Sequence, residues 1–125
     1  MYAISKSFDF SASHIIAGVA PDHPCARLHG HNWVVTLHLA SEQLDERGFV
    51  VDFLELASFK NYIDERLDHR HLNDVLTCSP TSENLSRHLY EVARERWPAV
   101  VACVVSETPK TSAVFAPGTA LILSR

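Results

Sequence analysis

Polarity alternates along the first fourteen residues. Tyr2, Ile4, Phe8, Phe10 and Ala12 share one parity, broken by Lys6, while Ala3, Ser5, Ser7, Asp9, Ser11 and Ser13 hold the other. A period of two is that of a strand with one buried face. Gly18, Pro21 and Pro24 then mark a loop that runs to about Arg27. A second strand is predicted from His29 to Ala40, with Trp33, Val35, Leu37 and Leu39 forming its apolar face. The period then changes. Phe53, Leu56, Phe59, Ile63 and Leu67 recur at helical spacing behind Asp52, which stands where an N-cap would. Residues 68–77 read as a polar loop. Ser79-Pro80 opens a second helix, with Ser at the N-cap and Pro at the first helical position. Its stripe is Leu85, Leu89, Val92 and Ala93, and Trp97-Pro98 ends it. Val100 to Ser106 is a third, β-branched strand, Ser112 to Ala116 a fourth, and Thr119 to Leu123 a possible extension of the sheet.

The predicted order is β-β-α-α-β-β, an α+β class in one domain over residues 1–125. Two helices cover only one face of a four-stranded sheet, and the other face is small and polar on the first strand. Such a sheet has open edges, which proteins pair or protect. Two readings stay open from pattern alone: assembly of copies through strand edges, or a monomer with guarded edges.

Composition narrows the class. Hydrophobic residues make up 46% of the chain, enough for a packed core. The formal charge of -4 argues against non-specific nucleic-acid binding but not against a small anionic substrate, which needs only local cations. No apolar run approaches the roughly 20 residues of a membrane span, and no basic-then-apolar leader is visible, so neither a membrane nor a secretion signal is expected. Cys25, Cys78 and Cys103 form no disulfide framework, which fits a reducing cytoplasm.

Chemistry centres on His29-Gly30-His31. Alternate residues of a strand point the same way, so both imidazoles face one side. His14 ends the apolar parity of the first strand and reaches the same place if the two strands pair. Three imidazoles leave one tetrahedral zinc position open. A set of surface or hydrogen-bonded histidines is the competing reading. Cys25, four residues before His29, can act as a base or nucleophile, can be a fourth ligand, or can be a plain loop cysteine; His23 competes as a ligand in the same loop. Asp68-His69 can form a proton relay in which the acid fixes the ring's tautomer, with His71 close by; a solvated polar loop is the alternative. Glu107, after a valine-rich run, can accept two parallel N–H bonds from a planar ring or can be simply solvated.

Together these residues resemble a known family. Phe10-Ser11-Ala12-Ser13-His14, Cys25-Ala26-Arg27-Leu28-His29-Gly30-His31, Gly48-Phe49-Val50-Val51-Asp52-Phe53, Leu67-Asp68-His69-Arg70-His71-Leu72-Asn73, Pro80-Thr81-Ser82-Glu83-Asn84 and Glu107-Thr108 look like the ordered motifs of the 6-pyruvoyltetrahydropterin synthase family. The resemblance covers residues 8–108. It implies a T-fold, a four-stranded antiparallel sheet with two helices on one face. It also implies homo-oligomers, with three sheets closing a twelve-stranded barrel, two trimers stacking, and active sites between subunits. Carried over by motif, His14, His29 and His31 would hold Zn2+. Cys25 would be the catalytic thiol, with Asp68 and His69 as its relay. Glu107 would anchor the 2-amino and N3 donors of a pterin, and Thr81, Ser82 and Glu83 would lie near its pocket. The three-residue gap between Cys25 and His29, with Arg27 inside it, resembles the queuosine-pathway branch. That branch converts 7,8-dihydroneopterin triphosphate to 6-carboxy-5,6,7,8-tetrahydropterin, releasing acetaldehyde and triphosphate. Arg27 and Lys110 are charge-based candidates for the triphosphate. A sister reading stops at 6-pyruvoyltetrahydropterin, and one from another class is a non-catalytic zinc or pterin-binding module. Trp33, where the family more often has Tyr or Phe, and Pro109-Lys110-Thr111-Ser112 depart from the pattern.

Overall fold

The alternating N-terminal segment forms β1 (Tyr2–His14), which pairs antiparallel with β2 (His29–Ser41) over its full length, from Tyr2 opposite Ser41 to His14 opposite His29. The structure is a computed structural model that describes residues 1–118. After β2 come α1 (Ala57–Arg66), β3 (Arg70–His71), α2 (Leu72–Val75), α3 (Ser82–Arg96), β4 (Val100–Thr108) and β5 (Thr111–Phe115). β4 pairs antiparallel with β2, and β5 with β4. The order across the sheet is β3-β1-β2-β4-β5.

Register decides which side chains share a face. Phe8 lies opposite Val35, Phe10 opposite Trp33 and Ala12 opposite His31, with Val105 and Cys103 of β4 opposite Val35 and Leu37. This face packs against Phe59 and Ile63 of α1 and Leu85, Leu89 and Ala93 of α3, all fully buried. Phe8 meets Phe59 edge to face, with centroids 5.3 Å apart, a favoured aromatic geometry. Both long helices thus cover one face, as the pattern predicts. The opposite face is small and polar where Ser7 Oγ and Thr36 Oγ1 lie 2.8 Å apart.

The sheet differs from the expected four antiparallel strands. β3 adds a fifth, parallel to β1, through Ala12 opposite Arg70 and Ser13 opposite His71. The backbone of Ser11 draws this segment onto β1: its N–H donates to Asp68 Oδ1 at 2.9 Å, and its carbonyl accepts the His69 N–H at 2.6 Å. A two-residue strand has no period to read, so the polar composition of residues 68–77 concealed both β3 and the four-residue α2, which buries Leu72. The suggested extension at Thr119 to Leu123 lies outside the described residues.

Both helix starts also move. Asp52 caps the turn before α1, accepting the Leu54 N–H on Oδ1 and the Glu55 N–H on its carbonyl. α3 begins at Ser82, not Pro80. Thr81 is its N-cap and accepts the Asn84 N–H on Oγ1 at 3.1 Å, the bond that defines an N-cap. Ser79 and Pro80 stay outside the helix, in a tight turn where the Thr81 N–H donates to the Ser79 carbonyl at 2.9 Å, which leaves the Pro80 carbonyl free for another partner. Among the described residues no helix is long and apolar enough to cross a membrane.

His38 sits on the open face at 5% exposure, with no hydrogen-bond partner for Nε2 among the described residues. Burial lowers its pKa below the usual 6.5. The unfolded chain therefore takes up more protons as pH falls through 6.5, so His38 costs stability on acidification. His38→Gln is expected to lose less stability than the parent between pH 7.5 and pH 5.5, measured by urea unfolding at one protein concentration. Equal losses would show that His38 titrates alike in both states.

Candidate metal centre

His14 ends β1, and His29 and His31 begin β2. The register sets His14 opposite His29 and Ala12 opposite His31, so all three imidazoles project from the helix-covered face at its open end. One ring nitrogen from each lies within 4.8 Å of the other two. Ring centroids are 4.4 to 5.2 Å apart, and the rings meet tilted or edge to face. Trp33 is the wall behind them. It is fully buried, its ring stands 5.0 Å from His14 and 5.3 Å from His31, and its Nε1–H donates to the Ala12 carbonyl at 3.2 Å.

The ring tautomers follow from the backbone. His14 Nδ1 lies 2.8 Å from the Pro80 carbonyl, and His29 Nδ1 lies 2.7 Å from the Arg27 carbonyl. A carbonyl can only accept, so each Nδ1 carries the proton and each Nε2 presents a lone pair to the cluster. This is the outer-shell arrangement that orients metal-bound imidazoles. Burial holds the pKa of His14 below 6.5 against the opposing pull of the Pro80 carbonyl, and burial likewise lowers that of His31 against Glu107. Both rings therefore favour the neutral, ligating form. Among the described residues, the buried Nε2 atoms of His14 and His31 have no hydrogen-bond partner. An unmet buried polar atom costs about 1–3 kcal/mol, whereas a structural zinc contributes about 10–16 kcal/mol of apparent binding energy. The residues present thus fit a divalent metal.

The other predicted residues fall into three groups. Cys25 lies half-buried in a short 3-10 turn (Pro24–Ala26), and its carbonyl accepts the Ile16 N–H at 2.8 Å. His23, the competing ligand, instead caps this turn by accepting the Cys25 N–H on Nδ1. Neither joins the three-histidine group. Arg27 contributes its carbonyl to His29, while its side chain is exposed.

Asp68 and His69 stand at the outer edge of β1. Asp68 Oδ2 and His69 Nδ1 are 2.9 Å apart, and the Ser11 N–H, then His69, hold the Asp68 pKa below the usual carboxylate value. His69 adopts φ +58°, uncommon for a residue with a Cβ, and its side chain is 84% exposed. Among the described residues no hydrogen bond or ion pair links this dyad to Cys25 or to the histidine cluster. His71 is set aside: its Nδ1 pairs with Ser13 Oγ at 2.9 Å on the open face.

Glu107 is brought to the cluster, with Oε2 3.5 Å from His31 Nε2 and 3.7 Å from His14 Nε2. It also lines a pocket of about 170 Å³ with Ser82, Glu83, Thr111 and Ser112. Thr81 serves as the α3 cap beside this pocket, and Lys110 is exposed in the turn between β4 and β5.

Sequence reasoning missed Pro80 and Trp33 as supports of the histidines. Trp33 had a signal, since it shares the parity of His29 and His31; the Pro80 carbonyl had none. Gly30 is placed so that an added Cβ would meet the Ala12 carbonyl oxygen at an ordinary 3.5 Å. Its bare surface borders a cavity of about 490 Å³ on the open face, lined also by Ser11, Asn32 and His69.

Fold and site together define an α+β protein with three imidazoles gathered at one end of a helix-backed sheet. The family model for 6-pyruvoyl tetrahydropterin synthase matches residues 3–117. The chain belongs to that family. It is 35% identical to the 6-carboxy-5,6,7,8-tetrahydropterin synthase of Synechocystis over 124 residues, covering 92% of this chain and 93% of that protein. It is 30% identical to the Bacillus subtilis protein of the same name over 129 residues, covering 93% and 86%. The solved 6-pyruvoyl tetrahydropterin synthase of Caenorhabditis elegans shares the fold at a TM-score of 0.82 and 22% identity, covering 94% of this chain and 96% of that one.

Removing two imidazoles leaves one, too few to hold a divalent ion tightly. The double variant His14→Ala/His29→Ala is expected to retain less than about one tenth of the parent's bound metal after dialysis. Unchanged metal content by elemental analysis would show that the ligand set is wrong.

Proposed function

We propose that the protein is a zinc-dependent carbon–carbon lyase. It would convert 7,8-dihydroneopterin triphosphate and one water to 6-carboxy-5,6,7,8-tetrahydropterin, acetaldehyde and triphosphate, a step of queuosine synthesis. The observation that carries this reading is the convergence of the His14, His29 and His31 ligand atoms with the Nδ1 protons of His14 and His29 committed to carbonyls. The names of the 30–35% identical relatives, synthases of a carboxytetrahydropterin, support a pterin product.

Each group then has a task. When bound, Zn2+ supplies Lewis acidity toward the hydroxyls of the substrate's side chain. Glu107 accepts the paired N–H donors of the pterin ring, in the pocket it shares with Ser82 and Glu83. Thr81 shapes that pocket as the α3 cap. Cys25 Sγ removes a proton from the side chain, and His69, oriented by Asp68, returns or removes the complementary one. Arg27 carries an exposed charge suited to the triphosphate.

The dyad's position supports a shared site. Asp68 and His69 are tied to β1's outer edge, and that edge pairs with β3 only at Ala12 and Ser13. We take the working unit to be a homo-oligomer, a trimer or a dimer of trimers, in which one copy's dyad meets another copy's Cys25. Residues 1–125 form one domain in this reading, and the free thiols of Cys25, Cys78 and Cys103 suit the cytoplasm.

The test is to incubate zinc-loaded protein with 7,8-dihydroneopterin triphosphate and identify products by mass spectrometry. The 6-carboxy product with acetaldehyde is expected; 6-pyruvoyltetrahydropterin alone would move the protein to the sister activity. Cys25→Ala is expected to keep its zinc and lose at least about 100-fold in kcat, the scale of a general base. Loss of zinc would make Cys25 a ligand, and full turnover would remove its catalytic role.

A further inference from the structure

Glu107 approaches two of the three histidines, His31 and His14, and stands outside the group of ligand atoms that all lie within 4.8 Å of one another. Its distances to His31 Nε2 and His14 Nε2, 3.5 and 3.7 Å, exceed the hydrogen-bond range of about 2.7–3.2 Å. They come close to a different separation. Two ligands of one tetrahedral ion, each at about 2.0–2.1 Å, stand about 3.3–3.4 Å apart. The His14 Nε2 lone pair, fixed by the Nδ1 contact to Pro80, faces a carboxylate oxygen. Two electron-rich atoms so placed repel unless a cation lies between them.

A second observation bears on what Glu107 does next. The β4–β5 ladder shifts register between Val105 and Thr108, where Glu107 sits. Bulges of this kind re-aim side chains near functional sites. Glu107 is 30% exposed and borders both the imidazole cluster and the pocket with Ser82 and Glu83. A carboxylate that accepts two parallel N–H bonds from a ring uses both oxygens for it, so it cannot remain a good metal ligand.

We infer that Glu107 is an exchangeable fourth ligand: it closes the metal when no substrate is present and leaves it when the pterin ring takes the carboxylate. The inference rests on the reading of the cluster as a metal centre and of Glu107 as the ring anchor. It makes ring recognition open the coordination position that the substrate's side chain needs. Until then the carboxylate keeps water and stray anions off the metal.

Co2+ reports this directly, because its visible absorption follows the ligand set. The full-length protein is loaded with Co2+ alone, beside Glu107→Gln, whose matching apo unfolding midpoint confirms its fold. Glu107→Gln is expected to bind Co2+ about 10-fold or more weakly and to show a different spectrum. Pterin, which lacks the reacting side chain, is then added to the Co2+ protein, with binding followed by its fluorescence. It is expected to carry the parent spectrum toward that of the variant. The inference is overturned if Glu107→Gln matches the parent in affinity and spectrum, or if bound pterin leaves the parent spectrum unchanged. The pterin titration needs no variant and decides the matter if Glu107→Gln does not fold. The double variant His14→Ala/His29→Ala separates the two levels: if it keeps its Co2+, the metal-centre reading fails, whereas if it loses Co2+ while Glu107→Gln is unchanged, only the ligand role of Glu107 falls.

Discussion

The pairing register of β1 with β2 is the constraint on which the rest depends. It sets Tyr2 against Ser41 and His14 against His29 without a break. A side-chain period of two makes this all or nothing, because a slip of one residue would send His14 to the open face. The same slip would expose Phe8, Phe10 and Ala12, so the core defends the register that the candidate metal centre needs. Hydrophobic burial of Phe10 against Trp33, stacked with centroids 6.0 Å apart, thus also aims the imidazole two strand pairs away. Stability and site geometry come from one ladder.

A second constraint ties the helices to the centre. Thr81 caps α3, so Pro80 remains outside the helix and its carbonyl accepts from His14 Nδ1. Had the helix begun at Pro80, that carbonyl would have been among the first acceptors of the helix itself. The late start of α3 therefore costs helical hydrogen bonds and fixes a tautomer. Arg27 does the same for His29 from the turn that carries Cys25. The proposed thiol and one proposed ligand are consequently held by a single short loop, pinned at its far side by the Ile16 N–H.

Much of this was legible beforehand, for identifiable reasons. The two long strands and the two long helices each repeat a period over ten or more residues, so tertiary context only had to confirm them. His14, His29 and His31 were legible because strand parity is a local rule that ends in a shared face. Elements without a period were not. β3 exists because Ser11's backbone captures Asp68 and His69, a contact 57 residues apart in sequence for the Asp68 bond. The start of α3 was misplaced because Ser79-Pro80 and Thr81 both carry start signals, and only the partners of Pro80 and Thr81 decide between them. The approach of Glu107 to the histidines depends on the β4 register and its bulge, which no spacing within Glu107-Thr108 encodes.

The position of the dyad carries the synthesis one step further. In the proposed reaction the carbon chain being cleaved must lie at the metal, since its hydroxyls are what the Lewis acid activates. Cys25 belongs to the loop leading into His29 and can serve that place from its own chain. Asp68 and His69 belong to the edge strand's outer side, where the Ser11 backbone locks them with Asp68 oriented toward His69 and the His69 ring turned outward. The His69 backbone is held at φ +58° with its N–H on the Ser11 carbonyl. Such a conformation costs on the order of 1–3 kcal/mol and persists where surrounding structure enforces it. In the proposed reaction, an outward-facing acid–base pair on this edge, which among the described residues pairs with β3 at Ala12 and Ser13, would serve a neighbouring copy's metal centre better than its own. Edge pairing between copies would then serve the proposed chemistry as well as cover the sheet.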